Sequence, residues 1–245
     1  MSLPLDARQR AMLAAIGVRV FEPLRPDIAA PPPAAAAPAP ASRPVARATE
    51  LASALGISDA MDWPALAQAV AACRACSTCG PEAPGVFGTG DNRAEWLIVG
   101  DPPDDNEVAA GEPFVDEAGK LLDNMLKALG LDRRSKVFLT NVIKCRRPGS
   151  RNPDAEELAQ CGRVLRRQVQ LLQPKVILAM GRFAMQALLG TGEPIGKLRG
   201  RAHQYLGVPL VVTYHPALLL RNPADKAKAW ADLCLAQELV RVNAA

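Results

Sequence analysis

Six cysteines constrain this chain of 245 residues more than any other feature. Cys73 and Cys76 are separated by two residues, Cys145 and Cys161 form a wider pair, and a long stretch divides the two pairs. Only folding can bring these four thiols together, and four thiolates at one point are what an iron–sulfur cluster requires. A structural zinc ion also takes four ligands, but zinc ribbons usually close with a second tight Cys-x-x-Cys pair.

The spacing leaves other interpretations of the cysteines open. Cys79 follows Cys76 by three positions, so these two residues would also make a pair. Cys234 stands alone in a predicted helix, and the six residues would also fit a set of unrelated buried thiols. Six cysteines in a chain of this length do not indicate a secreted disulfide scaffold, and they favour a reducing cytoplasm. We also expect no membrane span, because the sequence contains no long apolar run.

Charge is unevenly distributed along the chain, although the formal net charge is only +4. Twelve Lys or Arg residues and only four acidic residues lie between Lys144 and Arg201. Seven acidic residues and no basic residue lie between Asp101 and Glu117. A basic face beside an acidic loop is compatible with nucleic-acid binding, and also with an ordinary solvated surface.

Composition predicts three segments. The start of the chain has helical periodicity, and the Pro- and Ala-rich stretch after it cannot build a core. We therefore predict a short helical element over residues 1–30, an extended linker over 31–45 and a folded domain over 46–245. Residues 1–45 are the part of the chain through which we expect a protein partner to bind.

Strands and helices alternate within the predicted domain. Apolar runs predict buried strands over residues 96–100, 137–143, 175–181 and 209–215. Amphipathic segments predict helices over about 117–129, 153–172 and 224–242, with another ending near 189. This alternation predicts an α/β fold, a three-layer sandwich with a central, mostly parallel four-stranded sheet flanked by helices.

The ends of the predicted strands carry polar side chains. In open α/β sheets, ligands bind beyond the carboxyl ends of the strands. Those ends here are Asp101, Asn141, Gly181 and His215. An acid, an amide and an imidazole at one rim of the sheet predict a binding site there.

Several motifs match one known family in their order and spacing. The chain resembles the iron–sulfur (family 4) uracil-DNA glycosylases, and most closely the proteobacterial type with an N-terminal extension. The match covers about residues 70–242. It rests on the Cys-x-x-Cys pair, VFGTGD (86–91), VGDPPDDNEVAAGEPFV (99–115), AGKLLDNML (118–126), LTNVIKCRRPGSRNP (139–153), the wide cysteine pair, PKVILAMGR (174–182) and HPALLLRNP (215–223).

The resemblance implies a fold, an activity and a cofactor. It implies the uracil-DNA glycosylase fold and an enzyme of base-excision DNA repair, a hydrolase that cuts the N-glycosidic bond of uracil in DNA. The target base must be flipped out of a duplex or already be unpaired. The family pattern makes Cys73, Cys76, Cys145 and Cys161 the ligands of a 4Fe–4S cluster, with Cys79 as an extra cysteine. The cluster would clamp these segments and take no part in the chemistry.

The resemblance also assigns roles to single residues at the rim. Phe114 would stack on the flipped uracil, and Asn141 would read the base with both its acceptor and its donor. His215 would donate a hydrogen bond to uracil O2 as negative charge develops on the departing base. Asp101 is the implied acid that positions water or balances the cationic sugar. By residue type alone, Phe114 would be a core aromatic and Asn141 a capping residue.

DNA contacts are implied in two places. The HPALLLR stretch would form a loop that enters the DNA, with Leu219, Leu220 or Arg221 filling the gap left by the base. Basic residues would meet the phosphates: Lys144, Arg146 and Arg199.

The first motif departs from the family pattern. The family usually reads Gly-Glu-(Ala or Gly)-Pro-Gly, whereas this chain has Gly100-Asp101-Pro102-Pro103-Asp104. Asp101 is one methylene shorter than the expected Glu, and Asp104 adds a Cβ and a negative charge in place of glycine. Asp116 also replaces a glycine. These changes keep open weak activity, an altered choice of base, or a non-catalytic DNA-binding paralogue of the same fold. A further alternative is a cluster protein that serves as an interaction module, with residues 1–45 as its tether.

Overall fold

The computed structural model describes residues 56–75, 84–146 and 152–243. All of them belong to residues 45–245, one of two units into which the chain divides. The predicted helical element and linker lie outside the described residues and stay predictions, as do statements about Cys76 and Cys79. None of the helices in the described part of the chain combines the length and apolarity needed to cross a membrane.

A six-stranded sheet forms the centre of the domain, in the order β1-β3-β2-β4-β6-β5. The strands are β1 (Thr89–Gly90), β2 (Trp96–Gly100), β3 (Val137–Asn141), β4 (Val176–Met180), β5 (Ala202–Tyr205) and β6 (Val208–Thr213). Strands β3, β2, β4 and β6 are parallel neighbours, whereas β1 and β5 pair antiparallel at the two edges. The predicted α/β class and the four parallel strands are confirmed.

The two edge strands were missed by the sequence analysis. Strand β1 has only two residues, which is too short to show periodicity. Strand β5 reads AHQY and alternates between exposed and half-buried positions. An edge strand that is largely open to solvent needs no apolar run, so it leaves no such signal in the sequence.

Helices cover both faces of the sheet. They are α1 (Trp63–Ala71), α2 (Asp105–Ala110), α3 (Asp116–Ala128), α4 (Ala155–Leu172), α5 (Arg182–Leu189), α6 (Ile195–Leu198), α7 (Pro216–Arg221) and α8 (Lys226–Val242), with a 3₁₀ turn at Pro223–Asp225. Residues Leu97 and Val99 of β2 join the core formed with α4 and α5. Ile98 between them joins the opposite core, formed with α3 and α8. The predicted three-layer sandwich is confirmed.

The VFGTGD motif crosses closely over strand β3. Gly88 has φ = 128°, a backbone conformation that residues other than glycine rarely adopt. A Cβ added at Gly88 would lie 2.5 Å from the carbonyl oxygen of Leu139. Backbone therefore packs directly on backbone here, and only glycine fits.

We expect Gly88→Ala to destabilise the domain by about 2 kcal/mol or more, because it combines backbone strain with a clash against a strand. Urea unfolding followed by circular dichroism measures the change. Gly192→Ala is the matched control, since an added Cβ there meets nothing within 4 Å. Equal stability of the two variants would contradict the close approach at Gly88.

Candidate active site at the carboxyl ends of the strands

An aromatic pair lies at the carboxyl edge of the sheet. The imidazole of His215, which follows β6, stacks on Phe114 with ring centroids 5.2 Å apart and planes inclined by 19°. Phe114 is 1% exposed. A Cβ added at Gly100, the last residue of β2, would lie 2.6 Å from its ring. The structure thus brings together two residues that the sequence analysis assigned to one ligand.

The backbone of Phe114 is strained and fixed from both sides. Its φ is 54°, in the left-handed region that a bulky side chain rarely adopts. The Phe114 N–H donates to Glu107 Oε1 at 2.5 Å, and Arg133 Nη2 donates to its carbonyl oxygen at 3.1 Å. Strain of this kind costs about 1–3 kcal/mol and persists where the surroundings enforce it. These two bonds therefore set the position of the aromatic ring.

Glu107 is a site residue that the sequence analysis missed. Its side chain is 7% exposed. Its Oε2 accepts the Asp104 N–H at 3.0 Å, and Asp104 Oδ1 accepts the Glu107 N–H at 2.9 Å, which makes a capping box at the start of α2. Burial raises the pKa of Glu107, and the N–H groups of Phe114 and Asp104 oppose that rise. The Asp-x-x-Glu spacing was the available sequence signal.

The amide of Asn141 lies at the end of β3 and is 1% exposed. Its Nδ2 donates to the carbonyl oxygen of Asp101 at 2.9 Å, and the amide lies close enough to the Glu107 carboxylate to lower the pKa of that group. Its Oδ1 is buried and has no hydrogen-bond partner. One donor of the amide is therefore used internally, and the acceptor Oδ1 is open to a ligand. The expected contact of Asn141 with a base through both its donor and its acceptor stays a prediction.

His215 is neutral near pH 7. Burial lowers its pKa to about 4; the Asp104 charge opposes this shift and Arg221 adds to it. Its Nδ1 accepts the Ala217 N–H at 3.3 Å at the start of α7. A neutral imidazole that accepts through Nδ1 carries its proton on Nε2. The ring therefore offers a hydrogen-bond donor to the site.

Asp101 is held by the start of helix α5. Its Oδ1 accepts the N–H groups of Phe183 at 2.8 Å and of Ala184 at 3.1 Å. Burial raises the pKa of Asp101, and these backbone donors oppose the rise. A carboxylate at a helix N-terminus is stabilised by the unpaired N–H groups there. The structure thus gives Asp101 a structural contact that the sequence analysis did not predict.

Two departures from the glycine pattern have different consequences. Asp104 has φ = −90°, so its position does not require glycine, and its side chain caps α2. Asp116 has φ = 56°, in the region that favours glycine. The Asn106 Nδ2 donates to Asp116 Oδ2 at 2.6 Å and fixes that side chain. Asp104 therefore supports the local structure, whereas Asp116 is tolerated in a strained conformation.

The residues predicted to enter DNA differ in exposure. Leu220 is 42% exposed and Leu218, which was not assigned a role, is 37% exposed. Leu219 is 1% exposed, and the prediction that it fills a gap in DNA is wrong because α7 packs this side chain against α3. Arg221 is exposed, and its Nε donates to the Ala217 carbonyl at 3.2 Å.

The three basic residues predicted to contact phosphates also differ in exposure. Lys144 is 2% exposed, so the expected phosphate contact is corrected: its ammonium lies inside the protein. Arg199 pairs with the fully buried Asp232 at 2.9 Å, which ties it to α8. Arg146 pairs with Asp105 and keeps 31% of its side chain exposed. Arg146 is thus the most accessible of the three predicted phosphate ligands.

Three of the predicted cluster cysteines fall within the described residues. Cys145 and Cys161 are 2% and 5% exposed, and Cys73 is partly buried. Helix α1, which Cys73 follows, packs on α4, which carries Cys161, through Val70 and Val164. Cys234 is exposed on α8. Within the described ranges, no three His, Cys, Asp or Glu side chains are grouped closely enough to hold a metal ion.

The segments that carry Cys73 and Cys145 lie close together. The Cys73 N–H donates to the Val70 carbonyl at 3.2 Å, and the Val86 N–H donates to the Lys144 carbonyl beside Cys145 at 2.6 Å. A Cβ added at Gly85 would touch both Val70 and Lys144. The chain on either side of the undescribed residues 76–83 therefore lies next to the Cys145 segment, which fits a centre held by cysteines from all these segments.

Comparison with known proteins agrees with this geometry. A family model described as the Uracil DNA glycosylase superfamily matches residues 87–234. The type-4 uracil-DNA glycosylase of Archaeoglobus fulgidus is 37% identical over 171 residues, which cover 66% of this chain and 85% of that protein. Those of Sulfurisphaera tokodaii and Thermotoga maritima are 40% and 39% identical over 163 and 145 residues, covering 63% and 58% of this chain and 74% and 75% of those proteins. The chain belongs to the uracil-DNA glycosylase superfamily and, within it, to family 4.

Proposed function

We propose that this chain is a uracil-DNA glycosylase, a DNA-repair hydrolase that cuts the N-glycosidic bond between uracil and deoxyribose. The observation that carries the proposal is the buried, unpaired Oδ1 of Asn141 at the rim that also holds Phe114 and His215. A buried acceptor without a partner is costly, so it indicates a ligand that supplies a donor. Uracil supplies one at N3–H.

The orientation of Asn141 explains base selection. Its amide cannot reverse without turning its Oδ1 toward the Asp101 carbonyl and the Glu107 carboxylate. The outward atom is therefore an acceptor, which matches the N3–H donor of uracil. Cytosine has an acceptor at N3, which would face Oδ1 lone pair to lone pair. Leaving such a buried group unsatisfied costs about 1–3 kcal/mol, and this is the expected free-energy preference for uracil over cytosine.

The stacked rings of Phe114 and His215 must move apart before a base can bind against Phe114. A pyrimidine between two rings needs about 7 Å, twice the usual van der Waals spacing. The centroids of Phe114 and His215 are 5.2 Å apart, so the pair is closed. Phe114 already rests against Gly100 on its other side. The uracil therefore takes the place of the imidazole on Phe114, and His215 moves to the edge of the base.

His215 then acts as a neutral donor. Its Nε2–H donates to uracil O2, where negative charge accumulates as the glycosidic bond breaks. The neutral imidazole can donate because its Nδ1 accepts the Ala217 N–H, which leaves the proton on Nε2. Asp101 completes the proposal as the acid that positions water or balances the cationic sugar. The start of α5 holds its carboxylate in place despite the shorter side chain.

Cys73, Cys76, Cys145 and Cys161 are the residues that would hold a 4Fe–4S cluster. When bound, the cluster supplies a covalent link between their segments, and the residues at the rim carry out the chemistry. DNA that contains uracil is the substrate, and Leu220 and Arg221 are the proposed contacts beside the extruded base. We also propose that the protein works in a reducing cytoplasm and that residues 1–45 bind a protein partner.

Incubation of the purified protein with a uracil-containing oligonucleotide, followed by alkali, tests the function directly. We expect strand cleavage at uracil, and Asn141→Asp should reduce the preference for uracil over cytosine by about tenfold or more, because it removes the donor that orients the acceptor. Asn92→Asp, in an exposed turn before β2, is the matched control. Retained DNA binding without any cleavage would favour the non-catalytic paralogue instead.

The ionisation of His215 predicts a pH dependence of stability. Between about pH 6.5 and pH 4 the unfolded chain binds a proton at this residue while the folded protein does not, because the folded pKa is about 4. Stability therefore falls as the pH drops through this window, by up to about 1.4 kcal/mol per pH unit. Urea unfolding of His215→Gln should show a smaller slope, with a constant difference from wild type above pH 7. Parallel curves from pH 4.5 to 7 would contradict the shifted pKa.

Two neighbouring leucines should respond differently to truncation. We expect Leu220→Ala to slow excision from double-stranded DNA more than from single-stranded DNA, because an exposed side chain that fills the gap in a duplex is not needed in a single strand. Leu219→Ala should instead lower the free energy of unfolding by about 2–5 kcal/mol, since that side chain is buried. Excision kinetics on both substrates and urea unfolding check the pair. Equal effects of Leu220→Ala on both substrates would show that Leu220 does not fill the gap in a duplex.

A further inference from the structure

Lys144 carries a buried ammonium group whose three donors are all used. Its side chain is 2% exposed. Its Nζ donates to Thr140 Oγ1 at 2.5 Å, to the Asn141 carbonyl oxygen at 3.0 Å and to Gln168 Oε1 at 2.8 Å. An ammonium has three N–H donors, so this set is complete. The side chain is therefore built into the interior and has no donor left for DNA.

The contacts of Lys144 link separate parts of the fold. Gln168 lies on α4, and its Nε2 donates to the Phe87 carbonyl at 2.9 Å. The Thr140 hydroxyl donates to the same carbonyl oxygen at 2.9 Å. Strand β3, helix α4 and the segment before β1 thus meet around one ammonium group. One of its acceptors is the backbone of Asn141, the residue proposed to read uracil.

The hydrogen bonds of Lys144 fix its position without an ion pair among them. All three acceptors are neutral groups. Burial lowers the pKa of Lys144 to about 7, and the charge of Cys161 opposes this shift. The three acceptors, drawn from β3 and α4, therefore define where the amine lies.

We propose that Lys144 is an internal positioning residue that fixes the backbone of Asn141 at the rim. This inference rests on the proposed function for the role of Asn141. It differs from the phosphate contact that the sequence suggested, and the two roles give opposite results in a salt titration. A phosphate contact contributes about 0.9 to the slope of log K against log salt concentration, whereas an internal residue contributes nothing.

Lys144→Met tests the proposal, because methionine keeps most of the side-chain volume and removes the charge and the donors. We expect an unchanged salt dependence of DNA binding and a single-turnover excision rate lowered by about tenfold or more, since small displacements in a site are costly. The preference for uracil over cytosine should also fall, because the displaced backbone carries the amide proposed to read the base. Lys127→Met, on the exposed face of α3, is the matched control.

A second variant covers the case in which Lys144→Met does not fold. Thr140→Val keeps the shape of the side chain and removes one acceptor of the ammonium. We expect it to retain iron and sulfide and to lower the excision rate several-fold, with an unchanged salt slope. An unchanged excision rate would overturn the positioning role.

The outcomes separate this proposal from the proposed function. A salt slope lowered by about one phosphate contact in Lys144→Met would overturn the internal role. An unchanged preference for uracil over cytosine would overturn the positioning role. If the wild-type protein excised no uracil, the proposed function would fail while the salt slope of DNA binding still tested whether Lys144 is internal.

Discussion

The carboxylate of Glu107 is the contact on which the candidate site depends. It accepts the backbone N–H groups of Phe114 and of Asp104, and it lies beside the amide of Asn141. Removing it would free a strained aromatic residue at the rim. A single buried acid thus fixes the proposed stacking surface, and its burial makes these hydrogen bonds stronger than they would be in water.

The unusual first motif is compatible with this arrangement. Asp104 occupies a position where family members have glycine, yet it adopts an ordinary backbone conformation and caps the helix that carries Glu107. Asp101 is shorter than the usual Glu, and the first N–H groups of α5 fix its carboxylate beside β2. The added charges are therefore used in local structure, where a helix N-terminus stabilises them.

The cysteine segments and the rim of the sheet are physically connected. Asn141 and Cys145 lie four positions apart, and the ammonium of Lys144 between them bonds the Asn141 carbonyl. Gln168 extends the connection to α4, the helix that bears Cys161. A centre at these cysteines would therefore restrain the end of β3 through packed and hydrogen-bonded groups.

The sequence by itself determined the α/β class, the four parallel strands and the rim where Asn141 and His215 lie, because apolar runs and strand ends are local features. Only the tertiary structure decided which side chains face inward. It buried Leu219 and Lys144, exposed Leu220, and turned the amide of Asn141 so that one acceptor remains. The reason is physical: burial and hydrogen-bond partners depend on residues distant in the chain, such as Gln168 for Lys144 and Asp101 for Asn141, and no local pattern encodes those pairings.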